Sequence, residues 1–195
     1  MIWLIVGLVL FLGVHSVRIA APEFRLAQID ARGLNTWKGA YTAVSILGFL
    51  MLVWGYGQAR LDPVVFWVAP LWMSHVVALV MLFAMIFLVA SQVPAGKIKA
   101  AVKHPMLLAV KIWALAHLLV NGDLASLLLF GSFLAWAVVD RISEKKRLRA
   151  GLTSNPVAGP LKWDIIAVVG GLILYVAFVI WLHRWLIGVS PILGM

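Results

Sequence analysis

The chain contains no cysteine, which excludes disulfides, thiolate metal sites, iron-sulfur clusters and the covalent C-x-x-C-H attachment of a c-type haem. Any bound metal is therefore left to histidine or carboxylate, and carboxylates are scarce: 7 Asp and Glu stand against 16 Lys and Arg. Charge of either sign is thin, at 12% of residues. Also missing are a Walker loop, a dinucleotide-binding glycine motif, an H-E-x-x-H zinc site and any sequence-evident Ser-His-Asp set, which disfavours the common enzyme classes.

What fills the chain is apolar. Hydrophobic residues make up 64% of the 195 positions, and the mean hydropathy is +1.05, well above that of a soluble domain. Six stretches stand out: Ile2 to Val17, Trp37 to Tyr56, Val64 to Val93, Pro105 to Val120, Leu124 to Val139 and Ile165 to Val189. Each is near the length a bilayer demands, and the continuous runs lack the alternation of barrel strands. Backbone groups in hydrocarbon must pair within their own segment, so helices are the expectation. The chain reads as all-α, a polytopic transmembrane bundle of about six helices forming one integral-membrane domain over residues 1–195. The first stretch lacks a basic leader and reads as a retained helix, not a signal peptide.

The net charge of +9 would point to nucleic acid in a soluble protein. Here the basic residues cluster in loops, so lipid is the expected neighbour and nucleic acid is not. Arg18, Arg25, Arg32 and Lys38 separate the first two stretches; Lys97, Lys99 and Lys103 follow the third; Arg141, Lys145, Lys146, Arg147, Arg149 and Lys162 follow the fifth. Three loops on one side thus carry most of the positive charge. The positive-inside rule makes that side cytoplasmic and puts both termini on the periplasmic side. The first loop has room for an interfacial helix starting at Pro22 and stopping at Gly33, either a lid over a cytoplasmic opening or a surface connector. Trp67, Trp72, Trp181 and Trp185 fall toward the outer interface as an aromatic belt. Gly7, Gly13, Gly131, Gly170 and Gly171 suit close helix packing.

Ionisable residues inside a bilayer are costly, and each is a functional candidate by default. His15 lies toward the cytoplasmic end of the first span. His104 precedes Pro105 at the start of the fourth. His117 lies well inside the fourth, with Ala114 and Asn121 on its face; a small residue and an amide there leave room for a flat ligand and offer a partner to the second imidazole nitrogen. The alternative for His117 is a hydrogen bond across helices. Lys111 shares a face with His104 and either snorkels to the surface or meets an anionic ligand group. His75 and His183 read as structural or interfacial.

The block Lys103-His104-Pro105 through Trp113-Ala-Leu-Ala-His117-Leu-Leu-Val-Asn121-Gly122-Asp123, followed by Leu129-Phe130-Gly131-Ser132-Phe133 and preceded by the early His15-Ser16, resembles the NnrU family of bacterial membrane proteins. The resemblance implies a bacterial inner-membrane protein linked to denitrification, with nitrite and nitric oxide reductases as candidate partners. It also takes in the plant zeta-carotene isomerase, a haem b protein whose ligating histidines match His15 and His117. Non-covalent haem b held by His15 and His117, with His104, Lys111 and Asn121 near the cofactor, is the expectation that follows. The cysteine that the relative carries three residues before its second histidine is Ala114 here, so thiolate ligation is not available.

The resemblance leaves three readings open: a haem protein of denitrification, a haem-dependent isomerase of a lipophilic polyene, and a cofactor-free accessory protein. One geometric obstacle stands against the ligand pair. If the fourth span starts inside at Pro105, His117 is about 18 Å along its axis, whereas His15 is near the inner end of its own helix. His15 with His104, and His75 with His117, are the competing pairs.

Overall fold

A computed structural model describes residues 1–191. The chain is a bundle of long helices: α1 (Ile2–Ala20), α2 (Pro22–Arg32), α3 (Leu34–Ala59), α4 (Leu71–Gln92), α5 (Lys97–Val102), α6 (Pro105–Val120), α7 (Leu124–Arg149) and α8 (Lys162–Ala177). The last runs through a π-helical turn, Phe178–Leu182, into α9 (His183–Ile187) as one continuous rod. Among the described residues five helices are long and apolar enough to cross a membrane: α1, α3, α4, α7 and the α8–α9 rod; α6 is apolar but only 16 residues long.

The expected third span, Val64 to Val93, is two elements. Its first residues form a short strand, β1 (Val65–Val68), and Pro70 caps α4 from the extended conformation. β1 pairs antiparallel with β2 (Asn121–Asp123), which follows α6. The pairing leaves no space beside Gly122, where a Cβ would meet the Trp67 carbonyl oxygen at 2.1 Å. The two strands tie together the turns after α3 and α6 and mark one end of the bundle, the strand end. At the opposite, basic end lie α2, α5 and the 150–161 connection. The expected start at Pro22 and stop at Gly33 both hold for α2: proline supplies the first helical residue, and Gly33 has φ 84°, a region that disfavours a side chain.

The closest helix pairings run in the order α3, α1, α7, α6, α4, α8. Small residues make the tightest of them. A Cβ on Gly7 would lie 2.5 Å from the Leu52 backbone nitrogen, and one on Gly55 would lie 2.3 Å from that of Leu4. With no hydrophobic drive between helices in lipid, such backbone approach is a main source of association. Gly171 does the same against Ile86, whereas Gly13 and Gly131 face open space and have no packing role of this kind.

Several polar groups inside the bundle are paired. Tyr56 Oη and Ser126 Oγ are 2.9 Å apart, and the wholly buried Ser126 also donates to the Asp123 carboxylate at 2.6 Å while Asp123 caps α7 through the Ser126 amide. At the basic end, buried Asp164 accepts from the amides of Lys97 (2.9 Å) and Ile98 (2.8 Å), fastening α5 to the start of α8. Arg18 pairs with Glu144 at 3.7 Å, and Arg147 bridges Glu144 and Asp140.

Candidate functional site

His15 is set on α1 with its Nδ1 2.6 Å from the Phe11 carbonyl oxygen, one helical turn back. Its ring stacks on Phe11 (centroids 4.3 Å apart, planes at 28°), with Tyr41 at 5.2 Å and the edge of Trp136 at 6.0 Å. Binding Nδ1 to a carbonyl makes that nitrogen the N–H and leaves the Nε2 lone pair for a ligand, the usual arrangement of a metal-bound imidazole. Trp136 carries a buried Nε1 donor with no hydrogen-bond partner among the described residues. An unpaired buried donor is costly, and one beside an imidazole marks a place where an acceptor belongs.

His15 opens onto a cavity of about 260 Å³ at the basic end. Its walls are Val14, Val17, Leu34, Trp37 and Tyr41; its charges are Arg18 from α1, Arg25 from α2 and Lys38 from α3. An imidazole, three cations and an apolar-aromatic lining make a site for an amphiphilic ligand bearing anionic groups. Arg25, Arg18 and Lys38 were read from the sequence only as topology signals. Charge periodicity alone does not reveal that a loop helix and two span ends converge.

His117 is placed elsewhere. Its Nδ1 lies 2.8 Å from the Trp113 carbonyl oxygen, its ring stacks on Phe130 at 4.8 Å, and it lines neither this cavity nor the larger one at the strand end. Between His15 and His117 runs a chain of ring contacts: His15 to Phe11, Phe11 to Phe133 (5.7 Å), Phe133 to Trp113 (5.4 Å) and Trp113 to His117 (5.6 Å). The two imidazoles are joined by aromatics and do not face one cavity.

The surroundings expected of His117 also differ. Ala114 is fully buried in the core with Leu4, Leu8 and Phe130, so the small residue is packed over and leaves no slot for a flat ligand. Asn121 donates from Nδ2 to the His117 backbone carbonyl at 2.9 Å, joining its own backbone N–H on that acceptor at the end of α6 instead of meeting the ring. The imidazole that does approach is His183, at 6.5 Å between centroids. His75 is exposed on α4 and is not among the ring contacts of His117.

His104 caps α6 at the basic end, near Arg141, Glu144, Asp140 and Arg147. Burial first, and the Arg141 guanidinium second, hold its pKa below 6.5. Lys111, half-buried, is within electrostatic reach of Arg141 and Lys145 and has no ion pair among the described residues. Neither residue lines the His15 cavity.

The NnrU protein family model matches residues 3–191. The chain belongs to the NnrU family. The match spans every element of the fold from α1 to α9, so the His15 cavity and the His117 region both lie within the NnrU domain. No curated protein and no solved structure matches this NnrU chain.

Proposed function

We propose that this NnrU-family protein binds haem b without covalent attachment, with His15 as the imidazole ligand and Arg18, Arg25 and Lys38 holding the carboxylates. It would serve nitrite and nitric oxide metabolism in the bacterial inner membrane, its basic end in the cytoplasm and both termini in the periplasm. The observation that carries the reading is the lining of one cavity, a carbonyl-anchored imidazole and three cations from three helices, with the unpaired indole of Trp136 in contact with that imidazole.

The residues present fit the group in donor and charge. The volume, at about 260 Å³, is just under the roughly 300–1,000 Å³ typical of ligand pockets. Only Arg25 of the lining comes from α2, and an outward swing of that helix, parting Phe24 from Trp37, would widen the cavity, the lid role for α2. Bound there, haem would supply an iron able to take a small diatomic ligand. His15, held by the Phe11 carbonyl, would be its imidazole ligand, Arg18, Arg25 and Lys38 would hold its carboxylates, and Trp37 and Tyr41 would exclude water from its apolar face. The same cationic lining would serve a haem-dependent isomerase, which stands as the second reading.

The test is an absorption spectrum of protein purified in mild detergent from haem-replete cells, oxidised and dithionite-reduced, with a pyridine haemochrome assay. A Soret band and b-type reduced maxima at about one haem per chain are expected. A colourless protein overturns the reading and leaves a cofactor-free accessory role.

A further inference from the structure

The strand end of the bundle carries a cavity of about 370 Å³, larger than the one before His15 and sharing no residue with it. Its walls include Arg60 closing α3, Trp67 and Val68 of β1, Pro70 before α4, and Asn121 and Asp123 of β2. β1 is exposed along its whole length, and among the described residues each strand of the pair has one edge with no partner strand.

Depth makes these polar groups costly. α6 has 16 residues and is about 24 Å long, short of the roughly 30 Å of a hydrocarbon core, so it does not bring both of its ends to the membrane surface. β2 continues directly from its end. Irregular backbone at membrane depth is tolerated only against protein or beside a polar space, and acyl chains offer strand edges no hydrogen bond.

Arg60 has no carboxylate partner among the described residues. Its guanidinium lies 5.7 Å from the centre of the Tyr56 ring and gives one hydrogen, at 3.4 Å, to the Ile187 carbonyl oxygen, which leaves most of its donors unspent. A phosphodiester matches such a fork in charge and in shape. On β2, the two carboxylate oxygens of Asp123 accept from the amide and the hydroxyl of Ser126, and Asn121 spends its side-chain N–H on the His117 carbonyl. Both residues keep acceptor capacity, which suits a hydrogen-bonding cation next to the phosphodiester. A primary ammonium supplies N–H donors there, and a quaternary one has none. Trp67, Val68 and Pro70 add apolar wall, which favours a headgroup still carrying its acyl chains over a soluble phosphodiester.

We propose that the strand-end cavity binds one phospholipid with a primary-ammonium headgroup, its phosphodiester on Arg60 and its ammonium on Asn121 and Asp123.

The test is native mass spectrometry of the delipidated full-length protein in detergent, titrated with phosphatidylethanolamine, with phosphatidylcholine of the same chains, and with soluble glycerophosphoethanolamine. One saturable phosphatidylethanolamine per chain is expected, held at least fivefold more tightly than phosphatidylcholine and at least tenfold more tightly than the soluble headgroup. Arg60→Gln should weaken it at least fivefold, and Arg60→Lys, which keeps the charge, should restore most of that loss. Asp123→Asn retains an acceptor for the Ser126 amide and should erase the preference for phosphatidylethanolamine while phosphatidylcholine binds as before, a change of ratio that loss of folding does not mimic. Equal retention of the two lipids by the wild type, retention indifferent to Arg60→Gln, or a soluble headgroup bound as tightly as the lipid overturns the proposal. The readout is lipid and the two cavities share no residue, so failure here leaves the haem reading standing, and a colourless protein that holds the lipid defeats the haem reading alone.

Discussion

The edge of the Trp136 indole meets the His15 ring at a centroid distance of 6.0 Å with the planes at 88°, and the buried Nε1 of that indole has no partner among the described residues. α7 thus packs an indole with an unpaired donor against the imidazole from α1, outside the cavity onto which His15 opens. The relation gives His15 a local context that its place in the sequence does not: a ring held by Phe11 and Trp136, with three cations lining the cavity before it.

Close approach of α1 and α3 predicts a sharp contrast between glycines. Gly55→Ala puts a methyl 2.3 Å from the Leu4 nitrogen, against backbone that cannot give way, and should cost at least about 1–3 kcal/mol. Gly13→Ala meets nothing within 4 Å and should be neutral or slightly stabilising. Thermal melting of the two variants in one detergent checks this; equal melting temperatures would contradict the α1–α3 packing.

Asp164→Ala should release α5. Two backbone amides lose their carboxylate acceptor in a buried setting, a loss of about 1–3 kcal/mol. Asp164→Asn keeps one acceptor oxygen and should lose less. The local readout is hydrogen exchange at the amides of Lys97 and Ile98, which should rise in the alanine variant before global melting shifts.

His104 should make stability depend on pH. Its folded pKa is held below the ordinary 6.5 by burial and by Arg141, so on acidification the unfolded chain takes the proton first. Its contribution is complete above pH 6.5 and declines as pH falls from there toward the folded value. The melting temperature of the wild type should therefore drop more steeply below pH 6.5 than that of His104→Gln. Parallel curves would remove His104 as the cause.

The native chain has no cysteine, so a single introduced one reports sidedness directly. Ser154→Cys lies in the connection at the basic end and Asp62→Cys in the turn at the strand end. With the basic end cytoplasmic, an impermeant maleimide added to spheroplasts should label Asp62→Cys and spare Ser154→Cys until the membrane is broken. The reverse pattern would invert the topology.

How much of this could be read in advance depends on how local the cause is. The helix at Pro22 ending at Gly33 was legible because a ring-fixed φ and a positive φ act at single positions. Five of the six expected spans were legible because hydropathy is summed over a window, whereas the helix at Pro105–Val120 is apolar but short. β1 was hidden inside an apolar run, because a strand exists only with its partner, here Asn121–Asp123, which lies beyond two more helices. Gly48 and Gly55 were missed because only the assembled bundle decides which glycines face another backbone. His183 was read as isolated because the π-turn that aims it has no evident signature in Phe178-Val-Ile-Trp-Leu182. Asn121 was assigned to the imidazole of His117 because the two share a helical face. The same spacing lets the side-chain amide reach the His117 carbonyl, which accepts from both the backbone and the side chain of Asn121.

The most direct measurement is the reduced absorption spectrum and haem stoichiometry of His15→Ala beside His117→Ala, each purified as the full chain from haem-replete cells. The account predicts that His15→Ala loses haem and His117→Ala keeps it with unchanged band positions, because four aromatic rings, Phe11, Phe133, Trp113 and Phe130, lie between the two imidazoles or against them. Haem retained by His15→Ala, or lost equally from both variants, would contradict it.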